Sequence, residues 1–313
     1  MDSNNTHDYV EISVYSVITC FVLAVSCVII CESVLVIVII CRTTNLHTNT
    51  DIIVASLCAN DILLCMAYIV HALMSTVVFR TDQLINKSVT SLVLGIAFGT
   101  TFTSFMHMGF VSVDRFIFIS HPFYYIKNMT RERNFKVLLA LWITGLVYMI
   151  IPVFVYTDSK YHQQLILTNP PFEYTCVVYI TFIINTFIAS TCYFKIARVA
   201  FHHNKASNVR RLHSTNGNGE IALSLNRQAA MKSVKFFAVT FGLHLALSSP
   251  MLIVSAINFV IEVPNYVFVL KSFVYLVNSL MNCLIYAFMR KAFLKTLRST
   301  IADGLKCCFR RTH

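Results

Sequence analysis

The chain has 313 residues, 57% of them hydrophobic and only 12% charged, with a mean hydropathy of +0.68. Soluble domains carry roughly a quarter charged residues, so the composition argues against a soluble or a disordered protein. The net charge of +11 does not read as a nucleic-acid surface, because the basic residues sit against apolar runs; nor do the eleven cysteines read as a disulfide framework, since most of them lie inside those runs as small hydrophobes.

A helix that crosses a membrane needs about 20 mostly apolar residues. Seven runs meet that length, at 12–41, 52–78, 91–119, 135–155, 176–200, 231–261 and 267–289. Polar connectors separate them, and no small-residue cleavage pattern follows the first run, which is read as a retained span. The expected architecture is therefore an all-α integral membrane protein. Residues 1–11 form an extracellular N-terminus, 12–289 a seven-helix bundle, and 290–313 a cytoplasmic tail. Between spans five and six, residues 204–220 are rich in Asn, Gly and Ser and are expected to be mobile. After span seven, Phe293, Leu294, Leu297 and Ile301 alternate with Lys291, Lys295 and Arg298. That pattern predicts an amphipathic eighth helix on the inner leaflet, with Cys307 and Cys308 as palmitoylation sites at its end.

Lys and Arg in the short loops set the orientation. With the N-terminus outside, only Arg80, Lys87, Lys160 and Lys271 of the 25 basic residues fall on the outer side. The positive charge then belongs to the cytoplasmic face, where it suits anionic lipid and a cytosolic partner. The Asn4 and Asn86 sequons fall outside and are glycosylation candidates, while that of Asn128 falls inside.

Particular residues recur at particular depths. Span two holds Ser56-Leu57-Cys58-Ala59-Asn60-Asp61, and span three ends in Val113-Asp114-Arg115-Phe116 followed by Ser120-His121-Pro122-Phe123. Span four carries Trp142 and Pro152, span six Pro250, and span seven Asn278-Ser279-Leu280-Met281-Asn282-Cys283-Leu284-Ile285-Tyr286. In order and in these spans, the set resembles the rhodopsin-like family of G-protein-coupled receptors over nearly the whole chain. The resemblance implies a plasma-membrane receptor that turns binding of an extracellular ligand into activation of a heterotrimeric G protein.

Two sites follow from it. The coupling switch is implied at Asp114, Arg115, Phe116, Tyr193 and Tyr286. Physically, Asp114-Arg115 is either a pair whose release frees a guanidinium for an intracellular partner or an interfacial arginine with its neighbour. A polar core is implied around Asp61 with Ser104, Asn278, Ser279 and Asn282, where the family places a sodium ion. The alternative is a protonated Asp61 hydrogen-bonded to the same groups. Oxygen-bearing side chains are the ligand type for a hard cation.

Departures limit the carry-over. Ser33 stands at the usual span-one asparagine beside Glu32, which either approaches Asp61, so that one of the two carboxyls stays protonated, or faces backbone and the membrane interface. Asn185 and Cys283 replace prolines of spans five and seven, Ser248 a span-six tryptophan, and His244 the phenylalanine one turn earlier. His244 is then a hydrogen-bonded buried imidazole or a proton sensor. The inner end of span six has Arg227, Lys232 and Lys235 but no acid to share the restraint on Arg115. Thr90 stands where the family's disulfide cysteine would face Cys176 of the outer loop, so no disulfide is expected.

The ligand class is read by exclusion. Ala97 stands at the aspartate of amine receptors, and Leu276 at the lysine that binds retinal. The pocket candidates are Ala97, Phe98, Thr101, Met251, Ser255, Asn258, Lys271 and Tyr275, mostly apolar with few polar handles. Lys271 either meets an acidic head group or anchors at the interface. No metal-ligand spacing, nucleophile elbow or phosphate loop supports an enzyme. A transporter would show paired halves and broken helices, and neither is seen. A constitutively active or decoy protein on the same fold is the alternative.

Overall fold

The computed structural model describes residues 3–43, 48–81, 87–155, 172–211, 238–239, 241–250, 252–258, 260–261, 273–281, 293–294, 296–297 and 299, with side chains left aside at 3–15, 18, 75–81, 87 and 200–211. Helices dominate and no strand occurs among the described residues. The helices are α1 (Ser3–Arg42), α2 (Asn49–Thr81), α3 (Lys87–Ser120), α4 (Pro122–Asn128), α5 (Arg131–Val155) and α6 (Phe172–Arg211). Residues 238–239, 241–250 and 252–257 are the described helical parts of span six, and 273–281 that of span seven. Five of the described helices are long and apolar enough to cross a membrane.

Local chemistry explains the helix starts. At the start of α2 the Asp51 carboxylate reaches back to Thr48, its Oδ2 accepting from the Thr48 backbone N–H at 3.0 Å and from the Thr48 hydroxyl at 2.6 Å, while Asp51 N–H donates to Thr48 O at 3.0 Å. Pro122 opens α4, where its missing N–H is no loss.

Most helices outrun the expected spans, with the clearest differences at three places. Helix α1 begins at Ser3, so most of the segment ahead of span one continues the helix. At about 1.5 Å per residue its 40 residues reach roughly 60 Å, twice a hydrocarbon core. Helix α6 runs to Arg211, so residues 204–211 of the expected mobile segment are helical. Cys176 lies one turn inside α6 rather than in a loop, as a free thiol, and Thr90 is buried in α3. In each case a helix runs on through polar residues that hydropathy alone assigns to a connector.

Helix α3 is central, packed on α2, α5 and α6, while α1 packs on α2. The α3–α5 crossing is close because side chains are missing there. A Cβ on Gly95 or Gly99 would overlap Met149, and one on Gly145 would overlap the Thr103 hydroxyl. Gly109 similarly makes room for Asn185 of α6, whose amide donates to Thr181 O at 2.8 Å. Such small-residue contacts let membrane helices approach closely.

Three apolar clusters fill the bundle. One gathers Ile40, Ile53, Val111 and Leu138 around Phe293 of the amphipathic segment, which is 1% exposed, with Leu297 against it. A second joins α1, α2 and span seven through Ile29, Cys65 and Leu276. The third is aromatic, with Phe105, Tyr148 and Tyr174 beside Val178 and Leu252. Outward-facing Phe154, Phe187 and Phe194 are exposed, as befits a surface solvated by lipid rather than water.

Candidate functional site: a charged latch, a polar core and a cavity

Asp114 and Arg115 lie at the end of α3 that precedes α4, both buried. Consecutive helical residues do not face each other, so the pair depends on the arginine's long stem folding back. Arg115 Nε donates to Asp114 Oδ2 at 2.9 Å, and Nη2 completes an ion pair with the same oxygen. The latch has two further members that sequence reasoning did not name. Arg115 Nη2 donates to Thr50 Oγ1 of α2 at 2.7 Å, and Tyr125 of α4 donates its hydroxyl to Asp114 Oδ1 at 3.0 Å. Burial, and then the negative Asp114, push the Tyr125 phenol above its ordinary range, so it keeps its proton and remains a donor. The Arg115 guanidinium also lies 5.2 Å from the centre of the Phe118 ring.

Of the other expected switch residues, Phe116 lies under the Lys195 ammonium of α6 at 5.5 Å, and Tyr193 packs its ring 5.6 Å from that of Phe241. Tyr286 lies outside the described residues. Helix α4 adds a feature the sequence did not announce: Phe123 and Ile126 are 87% and 79% exposed beside the latch.

Deeper in the bundle, Asp61 accepts a hydrogen bond from the Ser279 hydroxyl at 2.8 Å. Ser104 accepts instead from Asn60 Nδ2 at 2.9 Å, the same amide reaching Thr100 O at 3.1 Å. The amide end of Asn278 faces His244 Nδ1, at 3.0 Å from Nδ2 and 3.2 Å from Oδ1. Asn282 lies outside the described residues. A sodium cage needs these oxygens turned to one point, and two of them are turned to other partners. Among the described residues, Ser104 and Asn278 are thus engaged by Asn60 and His244, and Ser279 is bonded to Asp61. Glu32 is half-buried on α1, with Oε1 lacking a hydrogen-bond partner among the described residues.

Next to this core runs a second polar chain. Trp142 Nε1 donates to Ser56 Oγ at 2.9 Å, Ser56 Oγ lies 2.8 Å from His107 Nε2, and His107 Nδ1 lies 2.8 Å from Thr103 O. It ties α2, α3 and α5 together.

At the opposite end from the latch is a cavity of about 30 Å³. Ala97, Phe98, Thr101, Ser255 and Tyr275, all expected there, line it. Asn258 does not line it, while Met251 and Lys271 lie outside the described residues. Tyr68, Thr175 and Tyr179 add hydroxyls from α2 and α6, and Val178 and Leu252 add apolar wall. Sequence reasoning missed the α6 contributors, although Thr175 and Tyr179 are four apart and so share a helix face. Among the described residues, no charged side chain lines the cavity. Behind the lining Phe98, whose ring lies 6.0 Å from that of Tyr174, Tyr148 and Tyr174 stack at 4.4 Å, each hydroxyl donating to the other's backbone carbonyl at 2.5 and 3.1 Å.

Comparison with known proteins agrees with this arrangement. The chain is 23% identical to trace amine-associated receptor 7h of Rattus norvegicus over 288 residues, covering 88% of this chain and 79% of the relative. It is 28% identical to octopamine receptor beta-2R of Chilo suppressalis over 148 residues, covering 47% of this chain and 37% of that protein. Rhodopsin of Enteroctopus dofleini is 27% identical over 194 residues, covering 57% of this chain and 42% of the relative. The family model described as "7 transmembrane receptor (rhodopsin family)" matches residues 32–286, and with the latch at the end of α3 and the cavity at the other end of the bundle, the chain belongs to the rhodopsin family of seven-transmembrane, G-protein-coupled receptors.

Proposed function

We propose that this receptor spans the plasma membrane with its N-terminus outside, takes an uncharged small molecule at the cavity, and activates a heterotrimeric G protein at the Arg115 end. The carrying observation is the latch: one buried guanidinium held by Asp114 and Thr50, with Tyr125 on the same carboxylate. Opening it presents a cation beside the exposed Phe123 and Ile126, a combination suited to a protein partner. The orientation rests on the loop-charge asymmetry. Asn4 and Asn86 are then available for glycosylation outside, and Cys307 and Cys308 for palmitoylation inside.

The names of two relatives point to amines. The cavity does not favour one here, because Ala97 offers no carboxylate and no acid lines the wall among the described residues. Hydroxyls from Tyr, Thr and Ser match a neutral hydrogen-bonding ligand. Small-molecule sites usually span about 300–1,000 Å³, so a ligand must displace side chains to enter a space of about 30 Å³. That closure favours a second reading, a receptor whose activity is set without a ligand.

Nucleotide exchange measured on a panel of purified G proteins, with unliganded receptor, tests the proposal. Exchange on one G-protein class that Arg115→Ala abolishes supports it. Absence of exchange from every class, with and without neutral small-molecule libraries, overturns it.

A further inference from the structure

His244 is 4% exposed in the centre of the bundle, its ring set edge-on to Phe105 at 5.3 Å. Its Nδ1 meets the Asn278 amide, joining span six to span seven, while Nε2 has no hydrogen-bond partner among the described residues. The tie therefore rests on Nδ1 alone. It holds with either imidazole tautomer, since Nδ1 can donate to Oδ1 or accept from Nδ2. The bond also decides where Asn278 faces. Its amide end is at His244, Ser104 accepts from Asn60, and the Ser279 hydroxyl donates to Asp61 Oδ1.

We propose that His244 is the positioning residue of the polar core: its bond to Asn278 supplies the span-six to span-seven tie, so that the resting packing does not depend on a sodium ion. A phenylalanine at 244 would keep a ring against Phe105 but could not bond the amide. Asn278 would then be buried without its partner, a costly state, and its oxygen would be at liberty to turn toward Asp61. The histidine and the cation are thus alternative ways of holding the same asparagine. This inference concerns packing and does not rest on the coupling proposed above.

The test is the melting temperature of the purified full-length receptor in sodium chloride and in the chloride of a bulky organic cation, at equal ionic strength. Wild type should melt at the same temperature in both salts. His244→Phe should melt lower in the organic cation, with sodium restoring about 2–4 °C. His244→Gln, which keeps a hydrogen-bonding end, should behave as wild type. A wild type stabilised by sodium overturns the proposal, and so does a His244→Phe protein indistinguishable from wild type in both salts. Should that variant fail to fold, Asn278→Ala decides: it should melt lower than wild type with no response to sodium, and an unchanged melting temperature overturns the proposal. Because the readout uses no G protein, failure of coupling and failure of this inference are distinguishable.

Discussion

Tyr125 and Arg115 hold the two oxygens of one carboxylate: the phenol donates to Asp114 Oδ1 at 3.0 Å while the guanidinium takes Oδ2. The short helix α4 is thereby tied to the end of α3, and the Tyr125 bond helps to hold the Asp114 carboxylate where Arg115 meets it. Tyr125→Phe removes one hydrogen bond and leaves the ring against Phe118, 5.1 Å away. A bond to a charged group contributes about 1.5–3 kcal/mol, of which part is recovered by water at this half-buried site. Basal nucleotide exchange should rise about 3- to 10-fold, a shift of roughly 0.7–1.4 kcal/mol. Basal exchange equal to or below wild type at matched expression would count against the tie.

Asp114→Asn should raise basal exchange further, since it removes the counter-charge itself and leaves Arg115 with Thr50. Removing one partner of a buried pair costs about 3–5 kcal/mol. The variant should therefore also melt several degrees lower. A stabilised Asp114→Asn protein, or one with lowered basal activity, would show that the pair is not the restraint.

The seven runs and the Asp114-Arg115 pair were legible because hydropathy and charge are properties of single residues. What lay beyond reach depends on how helices rotate against one another. Tyr125 falls in the connector between spans three and four, and nothing in its neighbours announces that α4 turns it back to Asp114. The resemblance implies Asn278 as a cation ligand, and nothing in either residue announces its bond to His244 across the bundle. The helical extension of α6 to Arg211 was hidden by the polar residues that follow Ala200, which hydropathy assigns to a loop although lysine and arginine are good helix formers. The α6 wall of the cavity was missed for a similar reason: a helix face is legible, but which neighbour it meets is not.

The close approach of α3 to α5 makes a paired prediction on glycines. A Cβ at Gly95 would overlap the Met149 carbonyl, which is backbone and cannot swing aside. Overpacking of this kind costs about 1–3 kcal/mol, so Gly95→Ala should lower the melting temperature by several degrees. Gly242 is exposed on span six with nothing within 4 Å of a built Cβ. There alanine should be neutral or stabilising by up to about 1 kcal/mol. Equal effects at the two positions would refute the crossing geometry.

The last prediction concerns His107. Thr103 O can only accept, so Nδ1 must carry the ring proton and donate to it at 2.8 Å. In the neutral ring Nε2 then accepts, and its partner at 2.8 Å must be the Ser56 hydroxyl acting as donor. The Ser56 oxygen in turn accepts from Trp142 Nε1 at 2.9 Å. Every polar atom in this chain is satisfied in one direction only, from Trp142 through Ser56 and His107 to Thr103. A protonated ring would have two donors, and the Ser56 hydroxyl would lose its acceptor. His107→Leu keeps apolar bulk but strands the Ser56 hydroxyl, at about 1–3 kcal/mol. Ser56→Ala strands both His107 Nε2 and the Trp142 N–H, at a similar or greater cost. Combining them leaves the indole N–H alone without a partner, so the double variant should melt well above the temperature that the two single losses predict by addition. Coupling between residues of one network is about 0.5–3 kcal/mol, enough to resolve in melting curves of the purified receptor. Strict additivity would mean that Ser56 and His107 are not bonded, and the direction assigned to the chain would fall with that bond.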